Sequence, residues 1–186
     1  MIEQVLETLA KLVSFKSVTP KSGGAIEYIA ELLTSVGFAC DIQILGETEE
    51  EKTVNLYAKY GTESPNICFA GHIDVVPPMN ENLWEYDPFE LKIVGEKVYG
   101  RGTVDMKGSI ACAMVATLNY LKNNSKKTNG SISFLLTSDE EGCAKYGTKP
   151  MLEYLVQKDE KIDFSILGEP TTRIKLGDTI KIGRRG

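Results

Sequence analysis

The sequence lacks the features that mark several classes of protein. No apolar run approaches the ~20 residues that a membrane span needs, and the acidic first residues, 1–4, lack the basic and then apolar pattern of a signal peptide. The four cysteines form no C-x-x-C pair, so reduced, mostly buried thiols in a cytoplasmic protein are expected. A formal net charge of −5 argues against a nucleic-acid surface. Neither a membrane nor a nucleic acid is therefore expected as a partner.

Histidine is scarce as well, because His72 is the only one in the chain. It follows a short apolar run, 67–70, that predicts a buried strand, and Asp74 comes two residues later. Open α/β folds bind their ligands at the edge where such strands end. His72 can offer an imidazole nitrogen to a metal, and Asp74 can accept the other ring N–H and fix the tautomer. A hydrogen-bonded structural histidine is the alternative interpretation.

Three further acidic features, Asp105, the pair Glu140-Glu141 and Glu169, each end or follow an apolar segment. Unpaired carboxylates are costly to bring together without a cation. One histidine with several carboxylates at strand ends therefore indicates a hydrolytic metal site. Taken singly, Asp105 is also explained as a helix N-cap and Glu140 as a solvated carboxylate in a turn.

The hydrophobic pattern predicts an α/β fold. Apolar residues at helical spacing predict helices at 2–14, 26–36, 106–123 and 150–156, and alternating or continuous apolar runs predict strands at 38–44, 54–60, 66–70, 132–136 and 164–167. Residues 174–182 alternate only weakly. Strands that alternate with helices indicate a three-layer αβα domain with a mixed central sheet.

Four motifs, in this order along the chain, resemble the di-zinc metallo-exopeptidase and aminoacylase family. They are Gly-His-Ile-Asp-Val-Val-Pro at 71–77, Tyr-Gly-Arg-Gly-Thr-Val-Asp-Met-Lys-Gly at 99–108, Ser-Asp-Glu-Glu-Gly at 138–142 and Gly-Glu-Pro at 168–170. The resemblance implies these roles: His72 and Glu169 hold one zinc, Asp105 bridges, Glu141 holds the second zinc, Glu140 is the general acid/base and Asp74 orients His72. It also implies a cis peptide bond between Asp105 and Met106.

The closing stretch, 177–186, resembles the branch of this family that removes a succinyl group from a succinylated amino acid. The complete family enzymes are about twice as long, use two zinc ions (with cobalt as a substitute for one) and form homodimers through a lid domain. We therefore expect residues 1–178 to be the first segment of the catalytic domain and 179–186 a hinge toward an absent lid and dimerisation domain. The second zinc's histidine would lie outside this chain.

Two alternatives stay open at this point. The chain can belong to another amino-acid deacylase or dipeptidase of the same family, because part of the substrate site would lie in the absent lid. It can also be a catalytically inactive metal-binding fragment.

Overall fold

The computed structural model describes residues 1–124, 128–175 and 177–179. The α-helices are α1 (Ile2–Ser14), α2 (Ala25–Ser35), α3 (Lys107–Asn123) and α4 (Thr148–Gln157). The strands are β1 (Ala39–Leu45), β2 (Thr53–Tyr60), β3 (Asn66–His72), β4 (Lys92–Val94), β5 (Lys97–Tyr99), β6 (Ser131–Thr137) and β7 (Phe164–Leu167). A single 3₁₀ turn covers Glu81–Leu83.

The central sheet is mixed, as the sequence predicts. Its strand order is β1-β2-β6-β3-β7, and β1, β2 and β6 pair antiparallel whereas β6, β3 and β7 run parallel. Strands β4 and β5 form a separate antiparallel hairpin that the sequence analysis did not predict. Each has only three residues, too few for a periodic pattern to stand out.

Helices cover both faces of the sheet, which confirms the three-layer prediction. Helices α1, α2 and α3 pack on one face over a large core that includes Leu12, Ile29, Phe134 and Leu136. On the other face α4 packs through Met151 and Leu155 on a smaller cluster. Because side chains alternate along a strand, Phe134 and Leu135 of β6 enter different cores, so β6 is apolar on both faces.

The parallel strands β3, β6 and β7 finish at one edge of the sheet. In the register, His72 pairs with Thr137, and Ala70 pairs with Leu167. The residues that follow these strands, 138–141 and 168–169, therefore come to the same edge as His72. This topology brings together segments that lie almost 100 residues apart in the sequence.

Two predictions need correction or qualification. Of the four cysteines only Cys68 is buried, whereas Cys112 and Cys143 are exposed, so the expectation of mostly buried thiols is wrong. The sequence neighbours of Cys112 are apolar, but its own side chain lies on the exposed surface of α3. Most of the proposed hinge, 180–186, lies outside the described residues, and no described residue of 174–182 is in a strand.

No helix in the described part of the chain is both long enough and apolar enough to cross a membrane.

Candidate metal centre

His72 is the last residue of β3, and its side chain is almost completely buried. The ring nitrogen Nδ1 lies 3.0 Å from the main-chain carbonyl oxygen of Asp74 and 3.4 Å from the carboxylate oxygen Oδ1 of the same residue. In the tautomer protonated at Nδ1, the ring donates to Asp74 and turns the lone pair of Nε2 toward the carboxylates of the site. The sequence analysis expected Asp74 to accept this N–H, and the shorter of the two contacts is to its main-chain carbonyl.

Two carboxylates lie next to the other ring nitrogen. Nε2 of His72 is 3.1 Å from Oδ1 of Asp105 and 3.2 Å from Oε1 of Glu169. One ligand atom from each of these three residues lies within 4.8 Å of the other two. Asp105 is about half exposed on the site surface, whereas Glu169 is more enclosed. One nitrogen and two carboxylate oxygens converging on one point have the spacing and chemistry of a divalent metal site.

Met106, which follows Asp105, packs its side chain against Gly71 near the end of β3. A Cβ atom added to Gly71 would lie only 2.5 Å from Cε of Met106. Without that Cβ, Met106 packs fully buried beside the strand, and its Sδ lies 3.4 Å from the main-chain nitrogen of His72. The Asp105–Met106 peptide bond is cis, as predicted.

Asp105 does not cap helix α3, so the N-cap interpretation from the sequence is wrong. The N-cap position belongs to Met106, and no side chain caps the helix there. The Asp105 carboxylate points instead to His72.

The carboxylate of Asp74 holds the turn that carries Glu140 and Glu141. It is fully buried and accepts hydrogen bonds from the main-chain N–H of Glu140, at 3.1 and 3.2 Å, and of Glu141, at 3.0 Å. Since Asp74 also contacts His72, one side chain links the end of β3 to the turn after β6. The sequence analysis assigned Asp74 only the contact to His72.

The two glutamates of this turn differ in position. Oε2 of Glu140 lies 3.8 Å from Nε2 of His72, and the Glu140 side chain is about half exposed. Glu141 lies outside the close group of His72, Asp105 and Glu169. Burial and the nearby negative charge of Asp105 both raise the pKa of Glu141. The structure therefore brings all six predicted site residues to one edge, but only three of them converge on a single point.

The electrostatics are those of an acidic cluster that attracts cations. Burial lowers the pKa of His72, but the hydrogen bond and charge of Asp74, with the charge of Glu169, outweigh it and raise that pKa to about 9. The pKa of Glu169 is raised by burial and by the charges of Asp105 and Glu140, against the opposing effect of His72. Carboxylates crowded in this way favour a positive charge between them, either a proton or a metal ion.

Lys107 is a buried cation beside this cluster that the sequence analysis quoted in a motif without assigning it a role. It is fully buried at the start of α3, and its ammonium donates to the main-chain oxygen of Phe15 at 3.1 Å. Burial lowers its pKa to about 8, and the negative charge of Asp74 limits the fall. A lysine in the first turn of a helix is normally exposed, so the burial of this residue could not be predicted from local sequence.

A family model and several curated proteins match this chain. The model of "Peptidase family M20/M25/M40" matches residues 68–183. A protein of Rickettsia felis named succinyl-diaminopimelate desuccinylase is 56% identical over 179 residues, which are 96% of this chain and 47% of the relative. A protein of the same name from Rickettsia bellii is 58% identical and is covered over 45% of its length. The chain thus spans about half the length of the curated relatives it matches.

Solved structures share the fold at low sequence identity. Human carnosine dipeptidase 1 has a TM-score of 0.74 at 20% identity, over 91% of this chain and 39% of that protein. An M20 family metallo-carboxypeptidase from Sulfolobus solfataricus has a TM-score of 0.72 at 22% identity, over 90% of this chain and 38% of that one. Because that family model matches residues 68–183, well over half of the sequence, the chain belongs to peptidase family M20/M25/M40.

Proposed function

We propose that this chain carries the metal-binding and proton-transfer residues of a zinc-dependent amide hydrolase. The observation that supports this most strongly is the convergence of His72, Asp105 and Glu169, whose ligand atoms lie within 4.8 Å of one another. Zinc accepts one imidazole nitrogen and two carboxylate oxygens as three of its four ligands, which leaves one position for water. The residues present therefore fit one such ion.

The proposed roles are those that the family resemblance implies, and the positions of the side chains are compatible with them. His72 and Glu169 would hold the first zinc, and Asp105, which is about half exposed, would be shared with a second. Glu141 is the proposed ligand of that second ion. Its carboxyl is close enough to Asp105 for the negative charge of Asp105, after burial, to raise its pKa. Cobalt is proposed as a substitute for one of the two. Asp74 orients His72 and, through its hydrogen bonds to the main chain of Glu140 and Glu141, also fixes their turn.

Glu140 is the proposed general acid/base. It is about half exposed and lies 3.8 Å from Nε2 of His72, so it borders the proposed metal site and is accessible from solvent. Bound zinc would polarise the amide carbonyl and acidify a water molecule. Glu140 would take the proton from that water and deliver it to the leaving amine. Asp74 keeps the Glu140 main chain in place during both transfers.

We infer the substrate from the relatives. Proteins that match 96% of this chain at 56–58% identity are named succinyl-diaminopimelate desuccinylase. The proposed reaction is the hydrolysis of N-succinyl-LL-2,6-diaminopimelate to succinate and LL-2,6-diaminopimelate, a cytoplasmic step of lysine and diaminopimelate biosynthesis. The substrate is thus a small succinylated amino acid. Homodimerisation is proposed for the longer protein, as the family resemblance implies.

A second candidate is favoured by the composition of the second metal site. The ligands proposed for that site within this chain are Glu141 and the shared Asp105, and the sequence contains no second histidine to complete it. Two protein ligands are fewer than the three or four that zinc sites use. On this alternative the 186-residue chain by itself binds metal but does not turn over substrate.

A chimera separates these two functions. This chain would replace the matching 179 residues of the Rickettsia felis relative, and the chimera and the isolated chain would be assayed for release of succinate with and without zinc. If the chimera releases succinate and the isolated chain does not, the result supports both proposals: the longer protein is an enzyme, and the 186-residue chain by itself is inactive. A zinc-loaded, folded chimera that releases no succinate but cleaves another acyl-amino acid or a dipeptide would refute the proposed substrate.

A further inference from the structure

The segment that follows α1, residues 15–19, runs alongside the chain that leaves the end of β3. The main-chain N–H of Val75 donates to the carbonyl of Ser17 at 2.9 Å, and the N–H of Thr19 donates to the carbonyl of Val75 at 3.2 Å. Val18 and Val75 form an isolated parallel bridge. The regular pairing of β3 with β6 ends at His72, so these bonds hold the backbone just beyond the strand.

The hydroxyl of Ser17 makes the most direct contact with the site backbone. Ser17 is fully buried, and its Oγ donates to the carbonyl oxygen of Ile73 at 2.7 Å. The N–H of Ile73 donates to the carbonyl of Thr137 at 2.9 Å on the other side. Ile73 joins His72 to Asp74, so its two backbone polar groups are fixed from two different segments.

The same segment is attached to the helix that follows Asp105. The buried ammonium of Lys107 donates to the carbonyl of Phe15 at 3.1 Å. The N–H of Ser17 also donates to that carbonyl, at 2.8 Å. Residues 15–19 therefore connect two parts of the proposed metal site, the end of β3 with His72 and the start of α3 two residues after Asp105.

We propose that Ser17 is a positioning residue of the metal centre, acting through the Ile73 carbonyl on the spacing between His72 and Asp74. The inference rests on the proposed function, since zinc is the ligand whose binding would report that spacing. A shift of the Ile73 peptide moves the imidazole of His72 and the carboxylate of Asp74 relative to each other. Loss of the Ser17 hydroxyl leaves a buried carbonyl without its donor and allows that shift.

The test compares two buried serines by the same substitution. Ser133 is as fully buried as Ser17, but its hydroxyl donates to Oδ1 of Asn66, at the opposite end of the sheet from His72. Zinc dissociation constants of the native chain, Ser17→Ala and Ser133→Ala would be measured by competition with a chromophoric chelator, and urea midpoints would be measured alongside. Residues that orient metal ligands alter affinity about 10–100-fold, so Ser17→Ala is expected to weaken zinc binding about tenfold.

The two variants are expected to lose similar amounts of stability. Ser133→Ala should keep the zinc affinity of the native chain, whereas Ser17→Ala should not. Native affinity in Ser17→Ala, or an equal loss in both variants, would overturn the inference while leaving the metal site itself intact. A native chain that binds zinc no better than His72→Ala would overturn the proposed function and the inference together.

Hydrogen exchange on the native chain provides a reading that does not depend on a folded variant. If residues 15–19 position the site, zinc should slow exchange at the amides of Thr19 and Val75 more than at Ser131, whose N–H bonds Pro65 at the far end of the sheet. Equal slowing at all three amides would contradict the inference.

Ser17→Thr, which retains the hydroxyl, should recover most of the zinc affinity lost in Ser17→Ala.

Discussion

The buried carboxylate of Asp74 accepts the main-chain N–H of Glu141 at 3.0 Å, so the strand-end aspartate and the glutamate turn form one unit. The two residues are separated by 67 positions in the sequence. The partner is the main chain of Glu141 and not its side chain, which leaves the Glu141 carboxyl available to the site. Asp74 therefore contacts both the His72 ring and the main chain of the glutamate turn, so the geometry of both depends on it.

This relationship predicts that Asp74→Asn damages both stability and metal binding. In either orientation the asparagine NH2 would lie against the main-chain N–H of Glu140, donor to donor, and a buried charge-assisted acceptor would be lost. We expect the free energy of unfolding to fall by about 2–4 kcal/mol and zinc affinity to fall about 10–100-fold. Urea unfolding and chelator competition measure the two effects.

Asp163→Asn is the matched control for that variant. Its carboxylate also accepts a main-chain N–H, that of Asn66 at 2.8 Å, but at the far end of the sheet. The control should lose stability without a change in zinc affinity. Equal zinc affinities in the native chain and in Asp74→Asn would contradict the role of Asp74 in the site.

Glu140→Gln is expected to retain zinc and lose hydrolysis. The carboxyl of Glu140 is proposed to carry the proton and not to hold the metal, and general acid/base catalysis contributes roughly 10²–10⁴-fold to a rate. In the active chimera, succinate release should fall by about that factor while metal content stays unchanged. Glu141→Gln serves as the neighbouring control and should lose the second metal. Loss of zinc in Glu140→Gln would mean that the roles of the two glutamates are exchanged.

The titration of His72 predicts how the stability of the metal-free chain depends on pH. Its pKa is about 9 in the folded chain and 6.5 without the site, so the folded state binds the proton more tightly. That stabilisation is complete below pH 6.5 and is lost as the pH rises through 9. Between pH 6.5 and 8 we expect the free energy of unfolding, measured with a chelator present, to fall by about 1–2 kcal/mol.

The window stops at pH 8 because Lys107 acts in the opposite direction above it. The pKa of Lys107 is lowered from 10.5 to about 8 in the folded chain, so folding becomes more favourable as the pH rises through that range. His72→Gln should abolish the fall between pH 6.5 and 8. A metal-free chain whose stability rises across this window would contradict the interaction of His72 with Asp74.

The outermost parallel strand, β7, exposes apolar side chains at the edge of the sheet. Phe164 is 63% exposed, Ile166 57% and Leu167 61%. An apolar edge strand tends to recruit another chain. We expect the 186-residue chain to self-associate with rising concentration in light scattering, and Ile166→Lys to reduce that association. Ile174→Lys, at an exposed position outside the strand, is the control, and a native chain that stays monomeric would exclude this interface.

The sequence predicted the framework well because its strands and helices are long and strongly patterned. The bounds of α1 match those predicted, and β7 was located by the apolar run at 164–167 alone. The hairpin of β4 and β5 was missed because three-residue strands carry no detectable period. The surface position of Cys112 was missed because side-chain direction on α3 depends on packing.

Within the site, chemistry was easier to predict than connectivity. The residue types at strand ends indicated His72, Asp105 and Glu169, which the structure brings together. The hydrogen bonds around the site, from Asp74 to the glutamate turn and from Ser17 to Ile73, join positions 56 to 67 residues apart. No local pattern reports a hydrogen bond to a distant main chain, so these contacts required the structure.

The most direct test is a zinc titration of the 186-residue chain, followed by metal analysis after dialysis. His72, Asp105 and Glu169 are the three proposed ligands of one ion. Glu141 and the shared Asp105 are the only ligands proposed for the other. We expect about one tightly held zinc per chain, lost in His72→Ala but retained in Glu140→Gln. Two zinc ions of equal affinity, or undiminished binding in His72→Ala, would contradict the proposed metal centre.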